Sequence, residues 1–197
     1  TRGEGIQFKG IKLPPLYPTI KGKLDFPDDH PMIGHFKFLA QNTTVMPKIS
    51  IPGPSCCHFR TAPADILPPE YTDLDLLFSD LAKTYKKAVA AFYEAGCRYL
   101  QMDDIFFAYL CDESHRSEKA ALGQDPDYLL DRYAWMMNEA IKDRPTDMLI
   151  GMHMCRGNFQ STYAAAGPYD HAADVIFNKT GVDVFFMEYD TERSGSL

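Results

Sequence analysis

The 197-residue sequence has no apolar run approaching the roughly 20 residues that a helix needs to cross a bilayer. Thr1 to Lys12 is polar and glycine-containing, so no signal-peptide pattern is present there. Positive charge is not in excess: the net charge of -7 disfavours nucleic-acid and anionic-membrane partners, which select basic surfaces. Cysteines number five, at 56, 57, 97, 111 and 155. An odd, scattered set is a poor disulfide framework and fits a reducing, cytoplasmic setting. Repeats, low-complexity tracts and domain linkers are missing, which leaves a single domain. Only one tryptophan, Trp135, is present.

What is present alternates. Residues 1–31 carry Pro14, Pro15, Pro18, Pro27 and Pro31 and read as an extended segment. His35 to Gln41 suits a short helix. Val45 to Ile51 suits a strand, with Pro47 blurring its start and Pro52-Gly53-Pro54 stopping it. Leu74, Leu77, Leu81, Tyr85, Ala88 and Phe92 recur at helical spacing over Leu74 to Ala95, and Gly96 stands where a left-handed cap is common. Arg98 to Met102 is the next strand. Asp104 to Gln124 reads as a long polar connection, Pro126 to Lys142 as a helix capped by Asp125, Met148 to Met152 as a strand, Pro168 to Asn178 as a helix and Val182 to Met187 as a strand.

This order predicts parallel β/α architecture. The last three strands are nearly continuous in apolar residues, as strands buried on both faces are. Each ends in polar groups: Asp103-Asp104, His153-Met154-Cys155 and Glu188-Tyr189-Asp190. Successive polar strand ends are what a (β/α)₈ TIM barrel needs, since its site lies on that face. A doubly wound sheet would use the same ends, but no glycine-rich phosphate loop follows any strand here. Four strands against eight imply an incomplete central portion of a barrel, with strands missing on both sides.

Residues i and i+2 of a strand face the same way, so His153 and Cys155 would present an imidazole and a thiolate to one point. Zinc accepts such a pair in tetrahedral geometry, and Glu188 can add a carboxylate oxygen one βα unit later. His-x-Cys alone is equally consistent with a packed histidine and an inert buried cysteine. Asp103 is read as a substrate-binding group against the alternative of a cap, and Asp104 as structural. Cys56, Cys57 and His58 read as packing beside the site mouth, Cys111 and His115 as part of a polar insertion, Cys97 as core and His171 as surface. The run Phe106-Phe107-x-Tyr109 either lines a pocket or seals the insertion.

Three segments, in order and approximate spacing, resemble the cobalamin-independent methionine synthases: Leu100-Gln101-Met102-Asp103-Asp104, His153-Met154-Cys155-Arg156-Gly157-Asn158-Phe159 and Phe185-Phe186-Met187-Glu188. The Gly53-Pro54 turn adds to the likeness, which spans residues 45–192 and is closest to the short single-barrel branch. The resemblance implies a TIM barrel in which zinc, held by His153, Cys155 and Glu188, binds homocysteine as thiolate for methyl transfer from a methyltetrahydrofolate. Asp103 would bind the substrate ammonium. Two family features, a fourth cysteine ligand and a proton-donating histidine, would lie beyond Leu197. The family's pterin-binding tryptophan has no counterpart in Ser55-Cys56-Cys57-His58-Phe59-Arg60. Alternatives are alkyl transfer to another thiol of the coenzyme M type, a metal-free relative shaped like the uroporphyrinogen decarboxylases, and a non-catalytic fragment. On any of these readings the chain needs the rest of its own barrel or another chain.

Overall fold

The computed structural model describes residues 7–14 and 18–195; the expected extended N-terminal segment lies partly outside them. Within that segment, β1 (Gln7–Phe8) and β2 (Ile11–Lys12) form a two-stranded antiparallel ribbon. The remaining strands are β3 (Ile49–Pro52), β4 (Tyr99–Asp103), β5 (Leu149–Met154) and β6 (Val184–Met187). They make one parallel sheet in the order β3-β4-β5-β6. Among the described residues this sheet is open at β3 and β6 and does not close into a barrel.

The helices are α1 (Pro31–Gln41), α2 (Cys56–Phe59), α3 (Leu74–Glu94), α4 (Phe106–Tyr109), α5 (Glu113–Ala121), α6 (Pro126–Ile141) and α7 (Ala173–Lys179). Four of them start on a side chain that accepts a main-chain N–H two residues on. These caps are His30, Asp73, Asp112 and Asp125. α1 therefore begins four residues before the expected His35, at the cap and first-turn proline supplied by His30 and Pro31. The expected polar connection after Asp104 is mostly helical, as α4 and α5. Its first part is buried rather than polar, with Phe106, Phe107, Tyr109 and Cys111 all at most 3% exposed. The helix expected over 168–178 begins instead as a 3₁₀ turn, Tyr169–His171, before α7.

Helices α3 and α6 pack against each other, and the core beneath the sheet is built from Leu100, Met102, Ile150, Met152 and Met154, all fully buried. The alternate residues of β4, Tyr99, Gln101 and Asp103, are only half-buried, as is His153 in β5. β4 and β5 are thus buried on one face, the other face is half-open and carries the polar residues, and β6 is only partly buried throughout. This departs from the expectation of strands buried on both sides. Gly151 sits on that open face: a Cβ there would fall 2.9 Å from the Phe186 ring, so the glycine lets Phe186 lie across the sheet.

Main-chain bonds join the strand exits. Gly53 N donates to Asp103 O (2.8 Å), Asp104 N to His153 O (3.0 Å) and Glu188 N to Met154 O (3.3 Å). Gly53 is required here, because an added Cβ would meet the Asp104 carboxyl carbon at 2.4 Å. Asp104 is fully buried; its Oδ1 accepts from the Ser55 hydroxyl while its Oδ2 has no partner. Burial pushes this carboxyl up to about 7, against the opposing hydrogen bonds from Ser55. The folded chain therefore keeps a proton that the unfolded chain releases above about pH 4. Its contribution to stability is full below that pH and is lost as pH rises through about 7. Over this window the loss is on the order of 4 kcal/mol. Asp104→Asn, which mimics the protonated acid, is expected to flatten this part of the stability–pH profile, measured by urea denaturation between pH 4 and 8. An unchanged slope would show that Asp104 does not hold the proton.

Candidate active site at the strand exits

Register does most of the positioning. Asp103 is paired with His153 across β4 and β5, and Met154 with Met187 across β5 and β6. One step further, Cys155 and Glu188 leave neighbouring strands side by side. The expected strand over 148–152 thus extends to Met154, with His153 inside it and Cys155 just beyond.

His153 Nδ1 lies 3.2 Å from Asp103 Oδ1, within ion-pair range but without hydrogen-bond alignment, so this buried nitrogen makes no hydrogen bond. Asp103 Oδ1 instead accepts from Gln101 Nε2 at 2.6 Å. The neighbouring Cys155 thiol, with a smaller contribution from Asp103, raises the His153 pKa against the effect of its burial. Burial alone would raise the Cys155 thiol; His153 and the main-chain N–H groups of Gly157 and Asn158 outweigh it and hold the thiol below its ordinary range. Gly157 N donates to Cys155 Sγ at 3.3 Å. The structure thus brings together Asp103, His153 and Cys155.

Glu188 is adjacent in the backbone but its side chain is engaged elsewhere. It accepts from Arg193 Nε and from Asn158 Nδ2 (3.1 Å), and Arg193 Nη2 also donates to Asn158 Oδ1 (2.6 Å). Burial, at odds with these donors, only partly offsets them, and the carboxyl is held below its usual range. Among the described residues no three His, Cys, Asp or Glu side chains are grouped as a metal cluster. His153 and Cys155 match the nitrogen and sulfur donors that zinc takes, and the unpartnered Nδ1 is free to be such a donor. Glu188 fits by type and backbone position, but not in its observed contact with Arg193.

The other sequence candidates fall into place by packing. Cys56 Sγ donates to Asp103 O at 3.3 Å, at the edge of the site. Burial, then the nearby Asp104, pushes the Cys56 thiol well above its ordinary range, so it stays protonated. His58 is buried against Tyr133, with Nδ1 2.7 Å from the hydroxyl, and burial lowers it to about 3, keeping it neutral. Cys97 is core, and His171 is exposed beside Glu113. Phe106, Phe107 and Tyr109 pack inward, with Phe106 stacked on Phe59 (4.3 Å between centroids).

Arg156 was not singled out by its position in the sequence, yet its side chain is fully buried. Nη1 donates to Ala108 O (2.8 Å) and Nη2 to Ser194 O (3.3 Å), and the guanidinium lies 4.3 Å over the Tyr169 ring. The loop leaving Cys155 is thereby fastened to α4 and to the 191–195 turn. An arginine directly after a His-x-Cys pair looks like a solvated loop residue in the sequence, so only tertiary packing reveals it.

Comparison with known proteins places these features in context. No protein-family model matches the chain. It is 44% identical over 198 residues to the uncharacterized protein YxjH of Bacillus subtilis, covering 98% of this chain and 51% of that protein. It is 42% identical over 201 residues to the uncharacterized protein YxjG of the same organism, covering 100% of this chain and 52% of that one. A crystal structure from Listeria monocytogenes, of a protein provisionally named a vitamin-B12 independent methionine synthase, superposes with a TM-score of 0.71 at 40% identity. It covers 89% of this chain and 49% of that chain. The chain spans about half the length of the curated relatives it matches. No helix among the described residues is long and apolar enough to cross a membrane.

Arg156→Met keeps the apolar stem but leaves the Ala108 and Ser194 carbonyls without their donor. It is expected to lower stability by about 1–3 kcal/mol and to increase amide exchange in residues 156–165 and 191–195 ahead of the sheet, read by hydrogen-exchange mass spectrometry. Uniform protection in both loops would show that Arg156 does not anchor them.

Proposed function

We propose that this chain is the central part of a (β/α)₈ barrel that transfers a methyl group to a thiol with the help of zinc, homocysteine being the favoured acceptor and a methyltetrahydrofolate the favoured donor. The observation that carries the reading is the His153–Cys155 pair beside Asp103 at the exits of adjacent parallel strands. The likeness to the Listeria protein supports it at the level of a methionine-synthase-like methyltransferase. The half-open sheet face and unpaired edges support a barrel completed by strands outside residues 7–195. A cytoplasmic setting suits the free cysteines.

His153 and Cys155 would hold the metal through nitrogen and sulfur, and Glu188 would join them by exchanging Arg193 for it. When bound, zinc keeps a substrate thiol deprotonated at neutral pH. Asp103 is placed to pair with the ammonium group of an amino-acid thiol. Its carboxylate is held by Gln101 on one side, and at 38% exposure it retains an accessible face. Gly157 and Asn158 N–H groups fix Cys155 in its orientation.

The complete barrel that contains this chain, purified without added metal, is expected to carry about one zinc per molecule by elemental analysis and to methylate homocysteine. His153→Ala and Cys155→Ser are expected to lose most of the metal and all measurable transfer. Asp103→Asn should keep the metal while raising the KM for homocysteine at least tenfold, on the order of the 1.5–3 kcal/mol carried by a hydrogen bond to a charged group. Absence of zinc together with failure to take it up would overturn the reading.

A further inference from the structure

Buried polar atoms without hydrogen-bond partners are rare in folded proteins and call for a ligand or a reason. Tyr109 OH is one of them: the residue is 2% exposed, and its hydroxyl has no partner. It points at the turn after Cys155, since a Cβ added to Gly157 would lie 1.9 Å from it. The Arg60 guanidinium is the one cation close enough to act on this hydroxyl, and the Cys155 and Cys56 thiols are its next titratable neighbours.

Arg60 is half-buried where the chain leaves α2. The guanidinium lies 5.4 Å from the Phe106 ring centre, and Phe106 is braced by Phe59. It is near enough to Cys56, whose thiol touches Asp103 O, to act on that thiol electrostatically. The chain has 27 acidic residues against 20 basic ones. Even so, Arg60 forms no ion pair with any described residue. A cation over an aromatic ring, near a donor hydroxyl with nothing to donate to, is a site made for negative charge.

We propose that Arg60 and the Tyr109 hydroxyl form an anion subsite beside Cys155 that receives an acidic group, carboxylate or sulfonate, of one of the reactants. It relies on the proposed function only for the place of reaction. Both reactant types bring such a group: an acidic thiol, or a donor bearing carboxylates. The guanidinium supplies a planar fork of donors for an oxyacid, and the phenol supplies one more.

The test is isothermal titration of the full chain and of its Arg60→Met and Tyr109→Phe variants. The ligands are propane-1-sulfonate (acid only), 2-mercaptoethanol (thiol only), 2-mercaptoethanesulfonate and homocysteine (both), and methyltetrahydrofolate (acidic donor). Arg60→Met is expected to weaken the acid-bearing ligand of the subsite by about tenfold to a hundredfold, and to leave 2-mercaptoethanol unchanged. Loss confined to the acidic thiols and propane-1-sulfonate assigns the group to the thiol; loss confined to methyltetrahydrofolate assigns it to the donor. Tyr109→Phe should weaken the same ligand without lowering the melting temperature, because the hydroxyl has no partner to lose. Equal affinities in wild type and Arg60→Met for every acid, or an equal loss for 2-mercaptoethanol, would overturn the subsite. If propane-1-sulfonate needs Arg60 while no thiol is activated, the subsite stands and the methyl-transfer reading falls. If thiols are methylated but no acid responds to Arg60→Met, the reverse holds.

Discussion

The site depends on one constraint, the parallel register that sets Asp103 beside His153. A one-residue slip of β5 against β4 would turn His153 toward the helices and bring Met152 out to the open face. The register is enforced from both directions. Leu100, Met102, Ile150 and Met152 cannot leave the core without exposing apolar surface. The bonds Gly53 N to Asp103 O and Asp104 N to His153 O extend the ladder beyond the strands proper. Chemistry-bearing side chains are therefore located by packing on the opposite face of the sheet.

Legibility in the sequence followed how local each cause was. Helix α3 was readable because its apolar spacing and Gly96 are local signals, and α6 because Asp125 and Pro126 mark its start. The parallel β/α architecture was readable from the alternation of strands and helices. The buried aromatic segment at 106–111 was not, since Asp104 and Asp112 flank it and make it look like a polar loop. The nearness of His153 and Cys155 follows from their spacing of two at the end of β5, which is a local signal. The capture of Glu188 by Arg193 and Asn158 depends on how two turns meet in space, and no sequence spacing encodes it. Arg156 and Arg60 belong to the same class: cations whose surroundings are set by distant chain segments.

Polar groups without partners gather where the strands end. Asp104 Oδ2, Tyr109 OH, His153 Nδ1 and Arg156 Nε are all buried without hydrogen bonds, and all lie at or just past the exits of β4 and β5. A sheet assembled only for stability would satisfy these atoms or replace them with apolar ones. Two further unpartnered atoms, Gln124 Oε1 and Arg132 Nε, lie elsewhere, so the strand exits hold four of the six among the described residues.

The clasp between Glu188 and Arg193 has a bearing on how that carboxylate meets cations. Its carboxylate is already charge-balanced by a guanidinium and an amide, so it offers little to magnesium or calcium, which seek free oxygens. The nitrogen and sulfur of the neighbouring strand favour borderline metals instead. The carboxylate at the end of β6 is thus one half of a shielded ion pair, not an open oxygen donor.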